Sequence, residues 1–248
     1  DFYQKDVPDH FPDWIRRVEV SKEDGSLQQL LIDDAATLVY LADQACITPH
    51  VWLSRADRPR RPDRMVFDFD PPGDDPRAHF DEVVWAARRT HDLLDEIGLA
   101  GFVQTSGSRG LHVHVPLRRE RDVDEVRQVA ETVAGILAAR HPDRLTTASR
   151  TSKRGGRLYI DVMRNAYAQT AVLPYSVRAR PGAPVATPLE WGELGSRELS
   201  PRRYTLENLF RRLGQRDDPW ATMGRHARSL DGPAEKAARI ADEEGAAD

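Results

Sequence analysis

The chain has 248 residues, 36 Lys and Arg against 40 Asp and Glu, and one cysteine, Cys46. That length supports a sizeable core in one large domain or two small ones, and a single cysteine excludes an intrachain disulfide and suits a reducing compartment. A net charge of −4 excludes a uniformly basic nucleic-acid binder; without a long apolar run or N-terminal signal, the expectation is a soluble cytoplasmic protein with no membrane partner.

Residues 14–20 and 27–32 read as strands around a K-E-D-G-S turn. Asp33-Asp34 can cap a helix whose apolar residues Ala35, Leu38, Val39, Leu41, Ala42 and Ala45 fall on one side. His50 to Leu53 reads as a short strand and the Arg/Pro segment 55–64 as a loop. A strand, M-V-F-D-F-D, then ends at Pro71-Pro72, which forbid further ladder pairing. Apolar groups recur at helical spacing through 76–97, and Gly98 suits the C′ position. Strands are predicted at Gly101–Thr105 and Leu111–Pro116, a helix over about 122–140, and a strand at Arg157–Val162. Residues 168–180 read as extended and interrupted at Pro174, with helices near 204–213 and 219–229. The Ala/Glu-rich end from 233 reads as a helix with a frayed terminus. No repeat or linker divides the chain, so residues 1–230 are read as one domain and 231–248 as a tail. This order predicts an α/β sheet of mixed direction with helices packed on it.

The near-neutral balance hides a segregation. Arg140 to Arg180 holds nine Lys/Arg against two acids, and Arg55 to Arg64 five arginines against two aspartates, whereas residues 1–34 hold nine acids against four bases. Local fields steer polyanions, so both basic runs are candidate nucleic-acid surfaces; the alternative is a set of solvated faces.

Asp68 and Asp70 alternate with Phe67 and Phe69, so the two carboxylates share a strand face. Like charges held side by side call for a cation, here Mg²⁺ or Mn²⁺, unless they are a solvated strand end. In T-S-G-S-R-G-L-H (105–112), Gly107 and Gly110 let backbone N–H groups approach an anion, with Ser106, Ser108, Arg109 and His112 as further donors. A plain Gly/Ser hairpin is the competing reading. His112 and His114 share a face, and His112, adjoining the loop, is the better candidate. Asp161 sits in an otherwise apolar strand, as a third metal ligand or as an ion-pair partner of Arg164. Three carboxylates can hold two divalent ions about 3.5–4 Å apart, the arrangement used in nucleotidyl transfer. Arg178 and Arg180, in P-Y-S-V-R-A-R, could reach a triphosphate.

The set F-Y-Q-K-D (2–6), H-x-W at His50, R-A-D-R-P…P-D-R-M-V-F-D-F-D-P (55–71), T-S-G-S-R-G-L-H-V-H-V-P-L (105–117), Y-I-D-V (159–162) and P-Y-S-V-R-A-R (174–180) resembles the polymerase domain of bacterial DNA ligase D, in the archaeo-eukaryotic primase superfamily. The resemblance runs from Phe2 to about Leu213. It implies largely antiparallel central sheets with flanking helices, a primase-polymerase core with an RRM-like module. It also implies a nucleotidyltransferase of non-homologous end joining that adds nucleotides, preferentially ribonucleotides, to DNA primer ends with Mn²⁺ or Mg²⁺. Asp68, Asp70 and Asp161 would be the metal ligands: one ion on all three activating the primer 3′-hydroxyl, a second on Asp68 and Asp70 binding the NTP or dNTP. Ser106, Gly107, Arg109, His112, His50, Arg164 and Arg178 would bind the triphosphate, and Phe2 and Tyr3 would lie against bases.

Two departures from the resemblance stand out. Relatives usually carry lysine where this chain has Arg109, so a planar fork replaces a point charge. Relatives also carry a stretch before the position of Asp1, with lysines that grip a 5′-phosphate. The further expectations are a bacterial, nucleoid-associated setting, a separate ligase for sealing, and a Ku-type end-binding partner. A metal-dependent nuclease using the same aspartates, and a non-catalytic DNA-end-binding module, are the rival readings.

Overall fold

The computed structural model describes residues 4–22 and 25–245. Strands β1 (Arg17–Lys22) and β2 (Gly25–Leu30) pair antiparallel, Arg17 opposite Leu30. Helix α1 (Ala35–Asp43) starts where the Asp34 carboxylate accepts the Thr37 N–H at 2.7 Å, as its sequence predicts. Its apolar stripe is not buried as a whole. Leu41 packs on Phe11 and Ile15, while Leu38 and Val39 are 46% and 70% exposed.

Next come β3 (His50–Trp52), β4 (Arg64–Asp70), α2 (Phe80–Ile97), β5 (Phe102–Thr105) and β6 (Leu111–Pro116). Helix α3 (Val123–Arg140) opens on a capping box between Asp122 and Glu125. It is followed by β7 (Leu145–Thr146), the one-turn α4 (Thr151–Arg154), β8 (Leu158–Asp161) and β9 (Thr170–Val172). β10 (Pro188–Leu189), α5 (Leu209–Leu213) and α6 (Asp231–Glu244) complete the order.

Six strands form the central sheet in the order β10-β5-β6-β4-β8-β7, antiparallel throughout except for β7 beside β8. β3 and β9 form a separate antiparallel ladder. The period-2 alternation of β4 sends Met65, Phe67 and Phe69 to one face, where they join Val103, Val113, Val115 and Ile160 in a core closed by α2 and α3. The opposite face carries Asp68 and Asp70. Its far end is covered by Leu53 and Ala171, packed on Val66.

Several segments depart from expectation for local reasons. Residues 219–229 hold only a 3₁₀ turn at Met223–His226, since Pro219 and Gly224 interrupt a helical pattern. The helix near 204–213 shrinks to Leu209–Leu213, because Asn208 turns its side-chain oxygen onto the Thr205 N–H at 3.0 Å. β7 and β10, two residues each, are too short to mark the sequence. Helix α6, expected as a helix, docks on the core through the buried Ala237, Ile240 and Ala241, and Glu244 pairs with Arg140 at 2.8 Å; residues 246–248, where its frayed end was expected, lie outside the described residues.

Asn165 holds the two acidic strands in place. Its side chain accepts the Val66 N–H and donates to the Val66 and Val162 carbonyls, each at 2.8 Å, in a buried site. Asn165→Ala would strand Val66's buried N–H and C=O together. Urea denaturation should show a loss of about 2–4 kcal/mol, the penalty of two unsatisfied groups.

Candidate active site

β4 lies between β6 and β8, and its register places Asp68 opposite both His112 and Asp161, while Asp70 faces Tyr159. In an antiparallel pair, side chains directly opposite project to one side with Cβ atoms about 5 Å apart. The three aspartates predicted as ligands therefore share one patch of sheet. Among the described residues no trio of His, Cys, Asp or Glu converges as a ready cage. Each carboxylate is turned to its own partners instead. Asp68 faces His112 Nε2 at 3.3 Å and Arg164 Nε at 3.7 Å, and Asp70 faces Arg109 at 3.5 Å. Asp161 accepts the Met163 N–H at 2.8 Å and the Tyr159 hydroxyl at 3.4 Å. The expected Asp161–Arg164 pair is not formed; Arg164, on the turn after β8, reaches Asp68.

The electrostatics differ between neighbours. Burial pushes the Asp68 carboxyl up, but the His112, Arg164 and Arg178 charges outweigh it and hold it below the usual range. Asp70 moves the other way: burial, then the Asp68 charge, push it up, and Arg109 offsets this only in part. Burial, then Arg178 and Arg164, pull His50 down to about 4, which puts His50 beside both arginines and keeps its ring neutral. Burial, then Asp161, raise the Tyr159 hydroxyl to about 12, so it remains a donor.

The 105–112 loop is wound on its own serine. The Ser106 hydroxyl accepts the N–H groups of Ser108 at 3.2 Å and Gly110 at 3.1 Å, and the Ser106 N–H donates to the Gly110 carbonyl at 2.9 Å. Two N–H groups expected to face an anion thus face inward, and Ser106 shapes the loop. Gly107, at φ +64°, lies against Arg178: a methyl there would sit 2.7 Å from the Arg178 Cγ. Arg109 spans from the Gly73 carbonyl at 2.7 Å to Asp70. His112, the better of the two candidate histidines, adjoins Asp68. His114 is buried against Trp220 with neither ring nitrogen hydrogen-bonded among the described residues. Phe2 and Tyr3, expected against bases, lie outside the described residues.

Sequence reading passed over three contributors. Arg202 donates to the Ser108 carbonyl at 2.9 Å and lies near enough to Arg180 to feel its charge. Arg154 stacks over Tyr159 at 4.0 Å. Gln104 stands opposite His112. The adjacent arginines of P-R-R-Y (201–204) were a signal for the first; Gln104 gave none.

The basic runs are partly neutralised in three dimensions. Arg55 pairs with Asp63 at 2.7 Å, Arg60 with Asp122 at 2.8 Å and Asp124 at 3.0 Å, and Arg144 with Glu82 at 2.6 Å. Arg140 is clamped between Glu96 and Glu244. Arg58, Arg150 and Lys153 make no ion pair among the described residues; Arg150 precedes α4 and Lys153 lies within it, next to the Arg154 that stacks over Tyr159. No helix among the described residues is long and apolar enough to cross a membrane.

Sheet, loop and aspartates together define a class: this is a nucleotidyltransferase of primase-polymerase type. Within that class the chain belongs to the family described as LigD, primase-polymerase domain, whose model matches residues 1–220. It is 35% identical over 222 residues to the multifunctional non-homologous end joining protein LigD of Pseudomonas aeruginosa, covering 89% of this chain and 26% of that protein. Over 220 residues it is 32% identical to the bifunctional non-homologous end joining protein LigD of Bacillus subtilis, covering 88% and 34%. The chain therefore spans about a quarter to a third of the length of these relatives. Its fold matches the polymerase domain of Mycobacterium tuberculosis ligase D, solved in complex with DNA, with a TM-score of 0.78 at 27% identity, covering 91% of this chain and 80% of that one.

Proposed function

We propose that this domain adds nucleotides, preferentially ribonucleotides, to a primer 3′-hydroxyl at DNA ends during non-homologous end joining, using two divalent ions, Mn²⁺ or Mg²⁺. The observation that carries the reading is the register that sets Asp68 opposite Asp161 with Asp70 on the same face. The donor set fits a hard cation, because it is all carboxylate oxygen and because burial, then its acidic neighbours, raise the Asp70 pKa, a cost that a cation relieves. Asp68, Asp70 and Asp161 would hold the ions. Bound there, they would make the primer hydroxyl a better nucleophile and offset charge on the triphosphate.

The chain's own residues supply the rest. Arg164 and Arg178, close enough to His50 for their charges to lower its pKa, would form with His50 and His112 a donor cluster for the β/γ-phosphates. Arg109, anchored at Gly73, can swing its fork from Asp70 to the same phosphates once a cation takes over Asp70. Gly107 gives Arg178 its room. DNA would run over Arg150, Lys153 and Arg154 rather than over the paired arginines of 55–64, with affinity falling steeply in salt. A ligase activity and a Ku-type protein would act on the same ends.

The test is incubation with labelled primer-template, Mn²⁺, and ribo- or deoxyribonucleotides in parallel. Wild type should extend the primer, faster with ribonucleotides, and Asp161→Ala should not, while its DNA affinity stays near wild type. Shortening of the primer would make the protein a nuclease. Binding without any change in primer length would make it an end-binding module.

A further inference from the structure

His50 and Arg178, two of the proposed phosphate donors, arrive on separate segments of the chain, and three hydrogen bonds tie those segments together. Leu173 donates its N–H to the Pro49 carbonyl at 3.1 Å, and the Ser176 hydroxyl donates to the same carbonyl at 3.2 Å. The Thr48 hydroxyl donates to the Val177 carbonyl at 2.7 Å. This last bond is the shortest of the three and the nearest to both donors. It starts two residues before His50 and ends on the carbonyl of the peptide bond that leads into Arg178. No backbone N–H among the described residues reaches that carbonyl, so the threonine is what satisfies it. The reaction as derived gives Thr48 no role.

Both ends of the bond are stiff. Pro49 has a fixed φ and biases Thr48 toward extended backbone, so little freedom separates Thr48 from His50. The Val177–Arg178 peptide is planar, so a bond to its carbonyl sets the plane from which the Arg178 side chain departs. The N–H of that peptide donates to the Pro184 carbonyl at 2.7 Å. With the N–H alone held, the plane can still tilt about that contact; with Thr48 on the carbonyl, both of its edges are pinned. There is little space for a tilt, because a methyl on Gly107 would stand 2.7 Å from the Arg178 Cγ, so the arginine stem runs close over the 105–112 loop. His50 in turn lies near enough to Arg178 to feel its charge, so the two side chains can meet one ligand. We propose that Thr48 is a positioning residue that sets the spacing of His50 and Arg178, and with it the fit of the site to a triphosphate. The ligand in this proposal rests on the nucleotidyltransferase reading; the tether does not.

The experiment compares the full chain as wild type, Thr48→Val and Thr48→Ser in primer extension with Mn²⁺, in calorimetric titration with inorganic triphosphate and Mn²⁺, and in thermal melting. Thr48→Val keeps the branched shape and leaves the Val177 carbonyl without its donor. It should raise the nucleotide KM and weaken triphosphate binding about three- to tenfold, the effect of one hydrogen bond, with kcat changed less. Thr48→Ser keeps the hydroxyl and should return both readings to near wild type. A tie that served stability alone would lower the Tm of the valine variant and leave its KM and triphosphate affinity unchanged, and that result overturns the proposal. So does a serine variant as impaired as the valine one. Should Thr48→Val fold poorly, Thr48→Ala gives the same comparison. If wild type binds triphosphate but extends no primer, the nucleotidyltransferase reading fails and the titrations still decide the role of Thr48. If wild type binds no triphosphate, the proposal falls with that reading.

Discussion

Asp70→Asn should cut nucleotide addition at least about 100-fold, more than loss of an outer-shell contact usually costs, while the metal-free protein melts no lower than wild type. The two halves have one cause. Burial, then the Asp68 charge, push the Asp70 carboxyl up, Asp161 adds to the push, and Arg109 compensates only partly. A carboxyl whose folded pKa lies above its unfolded value, near 3.8 here, costs stability as pH rises through that interval, because the unfolded chain releases the proton first. The stability difference between metal-free wild type and the asparagine variant should therefore shift against wild type from about pH 4 upward. Mn²⁺ should raise the wild-type Tm by mass action and leave that of the variant almost unmoved. A variant that melts well below wild type without metal, or that keeps the Mn²⁺ shift, would remove Asp70 from the ion site.

How much of this could be read along the chain depends on the range of the forces involved. Strand β4 and its alternation were legible because period 2 is local: Phe67 and Phe69 on one face force Asp68 and Asp70 to the other. The capping of α1 by Asp34 and of α3 by Asp122 was legible for the same reason, although which apolar side chains of α1 would be covered depended on Phe11 and Ile15, far from its own pattern. Asp161 was visible as an acid in an apolar strand. Its exact opposition to Asp68 was not, since register is settled between strands, here with Asn165 clamping Val66. Gln104 was silent because a glutamine gains meaning only from the histidine across the ladder. Part of the pairing within the basic runs was hidden because charge counted along the chain ignores partners across it: Arg60 meets Asp122, 62 residues away, and Arg140 meets Glu244, 104 residues away.

Gly110→Ala should be among the most damaging single-methyl additions in the protein. A Cβ at Gly110 would stand 2.3 Å from the Phe69 carbonyl oxygen, a backbone atom that cannot step aside without moving β4 between Asp68 and Asp70. The same residue donates its N–H to Ser106 Oγ and accepts the Ser106 N–H, so displacement also unwinds the loop. We expect a loss of about 2–4 kcal/mol in urea denaturation, the range for overpacking combined with a broken buried hydrogen-bond network, together with loss of extension. Gly107→Ala separates the two effects. Its closest clash is Arg178 Cγ, on a flexible side chain, though the Ala186 nitrogen at 3.0 Å and a φ of +64° add strain. It should cost less stability than Gly110→Ala, yet raise the nucleotide KM by pushing Arg178 off the phosphates. Gly192→Ala, with nothing within 4 Å, serves as the control and should fold and extend as wild type does. If Gly110→Ala is as mild as Gly192→Ala, the close approach of the loop to β4 is not what holds the phosphate donors over the aspartates. The position of His112, one strand residue beyond the loop, would then have to come from its ladder partners Gln104 and Asp68 alone.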